Sequence, residues 1–305
     1  MSEGEAHEDG LPGVAGDYHG RVTRRLESPY CWIEVLAAGG PRVVRFGLPG
    51  GENLLAETPE NAWDGAYGTY ESLGGHRLWF APETAECSVP DAAGLTLEAV
   101  PSAESSAIGV RLTGAVESPT GLRKEMEIRL DDGSPAVSIR HTLRNEGSRT
   151  LELSPWPITQ LKLGGIAVVA LPSPLGDHAM EPNQIVVLWP YASWSDERFS
   201  LRAGLLTVAA RPGPRFKIGC LASIGGVGYL REGLLFAKRF DPAAGSPHAD
   251  FGCNVEIYCD DTSIELETLG PLVRLGPGEA AIYDERWELR EVGQGIDATE
   301  AAALL

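Results

Sequence analysis

Three stretches of the chain gather side chains that can move protons or hold charge. The first covers residues 264–289, IELETLGPLVRLGPGEAAIYDERWEL. Side chains alternate across a strand, so Glu265 and Glu267 fall on one face, with Ile264 and Leu266 on the other. Two carboxylates on one face can push one pKa upward and prepare a base near neutral pH. By themselves they also read as solvated charges on an exposed edge. A Gly-Pro-Gly turn at 276–278 leads into a second strand, on which Tyr283, Glu285 and Trp287 share a face.

The second stretch, GGHRLW at 74–79, packs two glycines, an imidazole, a guanidinium and an indole into six residues. His76 can trade protons near neutrality and Arg77 donates in a fixed fork. The flat apolar face of Trp79 suits the C–H face of a sugar ring. The alternative is a loop histidine beside a surface ion pair. The third stretch brings Lys238, His248, Asp250 and Glu256 close in sequence, as a polar pocket or as a charged loop. His141 lies on the apolar face of its strand with Val137, Ile139 and Leu143, the place of a satisfied, half-buried histidine. His178 sits in a loop and is uninformative. No GxSxG elbow, P-loop, HExxH or GxGxxG motif occurs. No spacing supports a metal site, and no cofactor is expected.

The elements that must position these groups are strands. The clearest is 122–130, where Leu122, Met126, Ile128 and Leu130 take one face while Arg123, Glu125, Glu127 and Arg129 take the other. Similar segments recur at hairpin spacing through 31–48, 95–116, 136–159 and the second half. The segment from 50 to Tyr70 reads as loop, with Trp63, Tyr67 and Tyr70 as an aromatic surface. Thirty-seven Gly and 22 Pro favour turns over long helices. The expected architecture is all-β, an antiparallel sandwich of many strands forming one domain over 17–292. A loose acidic tail would precede it at 1–16, and a short, partly helical tail would follow at 293–305.

Hydrophobic residues make up 43% of the 305, enough for a sizeable core. The net charge of −18 repels polyphosphate and anionic lipid, which argues against nucleic acid and membrane partners. Five cysteines at 31, 87, 220, 253 and 259 form no CxxC pair and read as reduced, buried thiols. The start of the chain lacks a signal-peptide pattern and no run is long enough to span a membrane, so a cytoplasmic location is expected.

Leu266-Glu267-Thr268, Pro271, Leu275 and Pro277-Gly278-Glu279 resemble the C-terminal signature of the aldose 1-epimerases, or galactose mutarotases. The stretches GGHRLWFAPE (74–83), SIRHTLRNEGSRTLELSPWPIT (138–159) and ELETLGP (265–271) more closely resemble an uncharacterised bacterial branch of that superfamily, a DUF4380-like group. The resemblance spans roughly residues 20–290. It implies the galactose mutarotase-like supersandwich, a sugar-sized cleft on one sheet, and Glu267 as catalytic base. His76 and Arg77 resemble the family's substrate-binding His and Arg, with different local spacing. Where mutarotases carry an acid histidine, this chain has Ser154-Pro155-Trp156-Pro157, and Trp156 cannot donate that proton. His76 or another group must then act as acid, or the cleft has kept its shape and changed its chemistry.

The resulting expectation is a protein acting on a small carbohydrate, interconverting anomers with Glu267 as base and His76 in the catalytic set. Arg77, Lys238, Asp250 and Glu265 would hold the sugar's polar groups, and Trp79 or Trp156 would stack on its ring. The rivals are a carbohydrate-binding protein without turnover, and a lyase or epimerase acting on a uronate or glycoside.

Overall fold

A computed structural model describes residues 11–305 apart from 92, 102–108, 173–179, 181 and 203, so residues 1–10 of the expected tail and His178 lie outside it. Two antiparallel sheets, of eleven and ten strands, account for most of the chain. Their inner faces meet in one apolar core: Ile33, Phe46, Ile218, Ile257 and Leu266 from the first sheet pack with Ile128, Ile139, Phe236 and Trp287 from the second. This is the all-β sandwich expected from the strand patterning.

The period-two reading carries through at 122–130, where Leu122, Met126, Ile128 and Leu130 are buried and the residues between them are partly exposed. The segment read as loop before Tyr70 is instead a two-stranded ribbon, Glu57–Gly65 paired with Gly68–Gly74. Its outer residues are polar and largely exposed, so it carries no apolar alternation to betray it. At the ends, Val14–Tyr18 forms a strand within the expected tail, and the helix Ala298–Ala302 packs Ala301 against Val168 and Leu235. No helix among the described residues is long and apolar enough to cross a membrane.

Five adjacent strands of the first sheet matter most. They lie side by side in the order His76–Ala81, Leu151–Leu161, Ile264–Thr268, Val255–Cys259 and Phe216–Cys220. Every residue of the strand Ile264–Thr268 is buried. One face of these strands lies on the core and the other opens outward.

The core face is not wholly apolar. His76 and Thr159 project from the first sheet toward His141, Lys238 and Glu285 of the second, all five of them fully or almost fully buried. Lys238 Nζ pairs with Glu285 Oε1 at 3.0 Å and donates to Thr159 Oγ1 at 3.1 Å. Glu285 also accepts from Thr268 Oγ1 and, at 3.1 Å, from Trp287 Nε1. His76 Nε2 lies 2.8 Å from His141 Nε2, and His76 Nδ1 lies 2.9 Å from Thr159 Oγ1. Burial drives both imidazoles down, His141 to about 4 and His76 well below the ordinary value with His141 and Lys238 adding to the effect. Both are therefore neutral at physiological pH.

A buried ion pair contributes little net stability, but removing one partner strands the other charge. Lys238→Met should destabilise the fold by about 3–5 kcal/mol, and Lys238→Met with Glu285→Gln should recover most of that loss. Urea unfolding of the two variants checks this; a single variant within about 1 kcal/mol of wild type would show that the pair is not closed to water.

Candidate active-site cleft

Strand register assembles the outward face. Arg77 pairs across Ile158 to Glu267 and on to Glu256, which places these side chains in one row. The next row runs Gln160, Glu265, Tyr258, Lys217. Trp79 and Trp156, directly opposite one another, begin a third. Directly paired residues project to the same side of a sheet, so all of these face outward together. Gly219 ends the Glu256 row, and it is small by necessity: a Cβ there would lie 2.7 Å from Cys253 Sγ.

These rows floor a cleft of about 670 Å³. Arg77, Trp79, Trp156, Glu265, Tyr258 and Lys217 line it, with Trp63 of the ribbon and Tyr191 at its mouth. Arg77 Nη2 donates to Glu265 Oε1 at 3.2 Å and its Nη1 to Gln160 Oε1 at 3.0 Å, while its guanidinium stacks 4.8 Å from the Trp79 ring centre. The Trp79 and Trp156 rings meet edge to face at 5.6 Å.

Beneath this surface lies a closed cluster. Lys217 Nζ is 2.7 Å from Glu256 Oε2 and 2.9 Å from Glu267 Oε2, and Trp156 Nε1 donates to the same Glu267 oxygen at 2.7 Å. Both glutamates are fully buried. One ammonium cannot neutralise two carboxylates, and burial, with Glu267 and Asp250 adding and Lys217 opposing, carries Glu256 well above the usual range. Burial alone would lower the Lys217 ammonium, but Glu267 and Glu256 outweigh it and keep the group charged.

Glu265 behaves differently because it reaches the cleft. Burial pushes its carboxyl up to about 7, with Arg77 opposing and the neighbouring Glu267 adding. At neutral pH it exists both as acid and as base.

The expected site residues thus separate. Arg77, Trp79, Trp156 and Glu265 converge on the cleft. Glu267 shares their face but is sealed beneath Trp156 and Lys217. His76 and Lys238 point into the sandwich interior, because His76 is one residue from Arg77 on the same strand and Lys238 belongs to the opposite sheet. Asp250 lies outside the lining, in a loop where it and Phe251 take left-handed backbone (φ 48° and 61°), and its charge acts on Glu256. His76, His141 and Glu285 bring one ligand atom each within 4.8 Å of one another, but the Lys238 ammonium already supplies positive charge there. Lys217, Gln160, Tyr258 and Tyr191 were not among the expected site residues. The alternation in FKIGC at 216–220 was the available signal: Phe216 and Ile218 face the core, so Lys217 must face away.

No family model matches the chain, and no curated protein matches its sequence. Solved structures do match. A TPR-domain-containing protein from Parabacteroides distasonis is similar with a TM-score of 0.63 and 13% identity, over 92% of this chain and 48% of its own length. The chain thus spans about half of that protein. A galactose mutarotase-like protein from Lactobacillus casei gives a TM-score of 0.53 at 10% identity, over 88% of this chain and 100% of its own. A candidate mutarotase from Salmonella typhimurium gives 0.54 at 10%, over 92% and 97%. At these identities the likeness is one of fold, and the fold is the galactose mutarotase-like β-sandwich.

The Glu265 value carries a stability consequence. A carboxyl raised in the folded state binds its proton more tightly there than in the unfolded chain. Its contribution is full below the unfolded value and is lost as pH rises toward about 7. Glu265→Gln should therefore gain stability relative to wild type between pH 5 and 8, a difference in which the two buried histidines cancel. Urea midpoints across that range test it; a gap that stays constant with pH would refute the raised value.

Proposed function

We propose that the cleft binds a carbohydrate and that Glu265 transfers a proton on it, as in the interconversion of sugar anomers. The observation that carries this reading is a carboxyl held near 7 beside Arg77 in a cleft walled by Trp79, Trp156 and Tyr258. Indole and phenol faces suit the apolar face of a pyranose ring, while the guanidinium and carboxyl suit its hydroxyls. The names of the Lactobacillus and Salmonella structures of the same fold support it.

In this scheme ionised Glu265 takes the proton of the anomeric hydroxyl. The C1–ring-oxygen bond breaks as the carbonyl forms, and the ring oxygen is protonated in turn. Rotation about C1–C2 and reversal of these steps return the other anomer. Arg77 orients Glu265. Lys217 donates to Glu267 and lies 2.7 Å from Glu256, and its place in the cleft lining lets the ammonium stabilise charge on the sugar oxygens. Glu267, the base that the family resemblance implies, serves here to hold Lys217 and Trp156. The five cysteines are free and buried, which fits the cytoplasmic location read from the sequence.

Binding without turnover is the second reading, favoured by Trp156 occupying the place of an acid and donating instead to Glu267. A uronate substrate is less well supported, since Arg77 and Lys217 already face carboxyl groups of the protein.

Exchange spectroscopy on a panel of free aldoses separates these. Wild type should accelerate anomer interconversion of at least one sugar. Glu265→Gln should lower that rate by about 10²–10⁴-fold while the sugar still binds. Binding without acceleration would select the second reading, and an unchanged rate in Glu265→Gln would remove Glu265 from the chemistry.

A further inference from the structure

We propose that the ligand of this cleft is a neutral oligosaccharide laid across the strands, rather than a single free sugar. This deepens the carbohydrate reading and rests on it. The floor extends from Arg77 to Lys217, five adjacent strands with four gaps of about 4.8 Å, hence roughly 19 Å across. Its volume of about 670 Å³ sits in the middle of the ~300–1,000 Å³ range of pockets that enclose drug-sized ligands. One pyranose ring over Glu265 would leave much of that length open.

Aromatic side chains mark the length. Trp79, on the same strand as Arg77, and Trp156, on the next, are 6% and 2% exposed, with their edges already packed. At the Arg77 end stands Trp63, 42% exposed although it lines the cleft. Its ring packs 4.8 Å from Tyr70, and Tyr70 is itself anchored by hydrogen bonds from Trp79 Nε1 at 3.1 Å and Arg42 Nη2 at 2.9 Å. At the Lys217 end stands Tyr191, 49% exposed and also part of the lining. It follows Trp189, whose ring lies 4.7 Å from Lys217 Nζ. Trp63 packs against Tyr70 yet stays 42% exposed, Tyr191 is 49% exposed, and both line the same polar cleft. Each supplies a platform for a further sugar ring.

The occupant is neutral on charge grounds. Arg77 and Lys217 already face Glu265, Glu256 and Glu267, and the third cation of the lining, Arg215, is offset by the lining carboxylates Glu83 and Asp260. The net charge of −18 disfavours an acidic polymer as well.

The test is calorimetric titration of the full chain with glucose and galactose, and with homologous malto-, cello- and galacto-oligosaccharides of increasing length. In at least one series affinity should rise about tenfold or more between one sugar residue and three, a difference of about 1.4 kcal/mol. Trp63→Ala and Tyr191→Ala should each weaken trisaccharide binding by a larger factor than monosaccharide binding, so that part of the length-dependent gain is lost. Both side chains are about half exposed, so truncation spares the core. A monosaccharide that binds as tightly as every oligomer would overturn the oligosaccharide assignment and leave the carbohydrate reading standing. No binding by any sugar would overturn both.

Discussion

One buried ammonium shared by two carboxyls sets the terms of this site. Lys217 lies within 3 Å of both Glu256 and Glu267, and none of the three groups has appreciable access to water. Two negative charges around a single cation in a low-dielectric setting is an unstable arrangement, and burial with the neighbouring Glu267 shifts the Glu256 carboxyl upward. The cluster then fixes Trp156 through the indole N–H on Glu267, and Trp156 in turn walls the cleft. Its field also reaches Glu265, whose position two residues along the same face makes it the carboxyl left to titrate near neutrality.

The strands that build this cluster carry polar groups on both faces, and the two sets do different work. Outward lie Arg77 and Glu265, which line the cleft, and Lys217, 4% exposed at its floor. Inward lie His76, Thr159, Lys238 and Glu285, closed off between the sheets and satisfied by one another. The interior set resembles a catalytic assembly in its residue types. Its burial, its neutral imidazoles and its mutual hydrogen bonds make it a structural network joining the sheets.

Fold likeness alone places the chain among galactose mutarotase-like sandwiches, and such scaffolds do not determine chemistry. What directs the reading toward carbohydrate is the combination on this face: indoles and phenols set among the guanidinium of Arg77, the carboxyl of Glu265 and the ammonium of Lys217. Trp156 donates to Glu267 and covers it, and Glu265, one pleat along the strand, is the glutamate that lines the cleft.

Much was legible in the amino-acid sequence. Period-two patterning at 122–130 and turn residues at regular spacing define antiparallel strands, because alternation reflects a sheet with one buried face. The same alternation puts Glu265 with Glu267 and separates His76 from Arg77, a separation that the density of polar residues at 74–79 tends to hide. The ribbon of residues 57–74 left no such trace, since its buried side chains, Thr58, Tyr70, Ser72 and Leu73, are few, partly polar and fall in no apolar period. Which strands lie side by side is another matter. Glu256 and Glu267 meet across one hairpin, but Lys217 joins them from an earlier strand only through cross-strand register, as Lys238 meets His76 through the stacking of two sheets. Burial followed from those contacts, and with it the carboxyl near 7. The sequence by itself determined the strands and the face each side chain takes; only the tertiary structure decided which faces meet, because register and stacking are set by contacts between segments far apart along the chain.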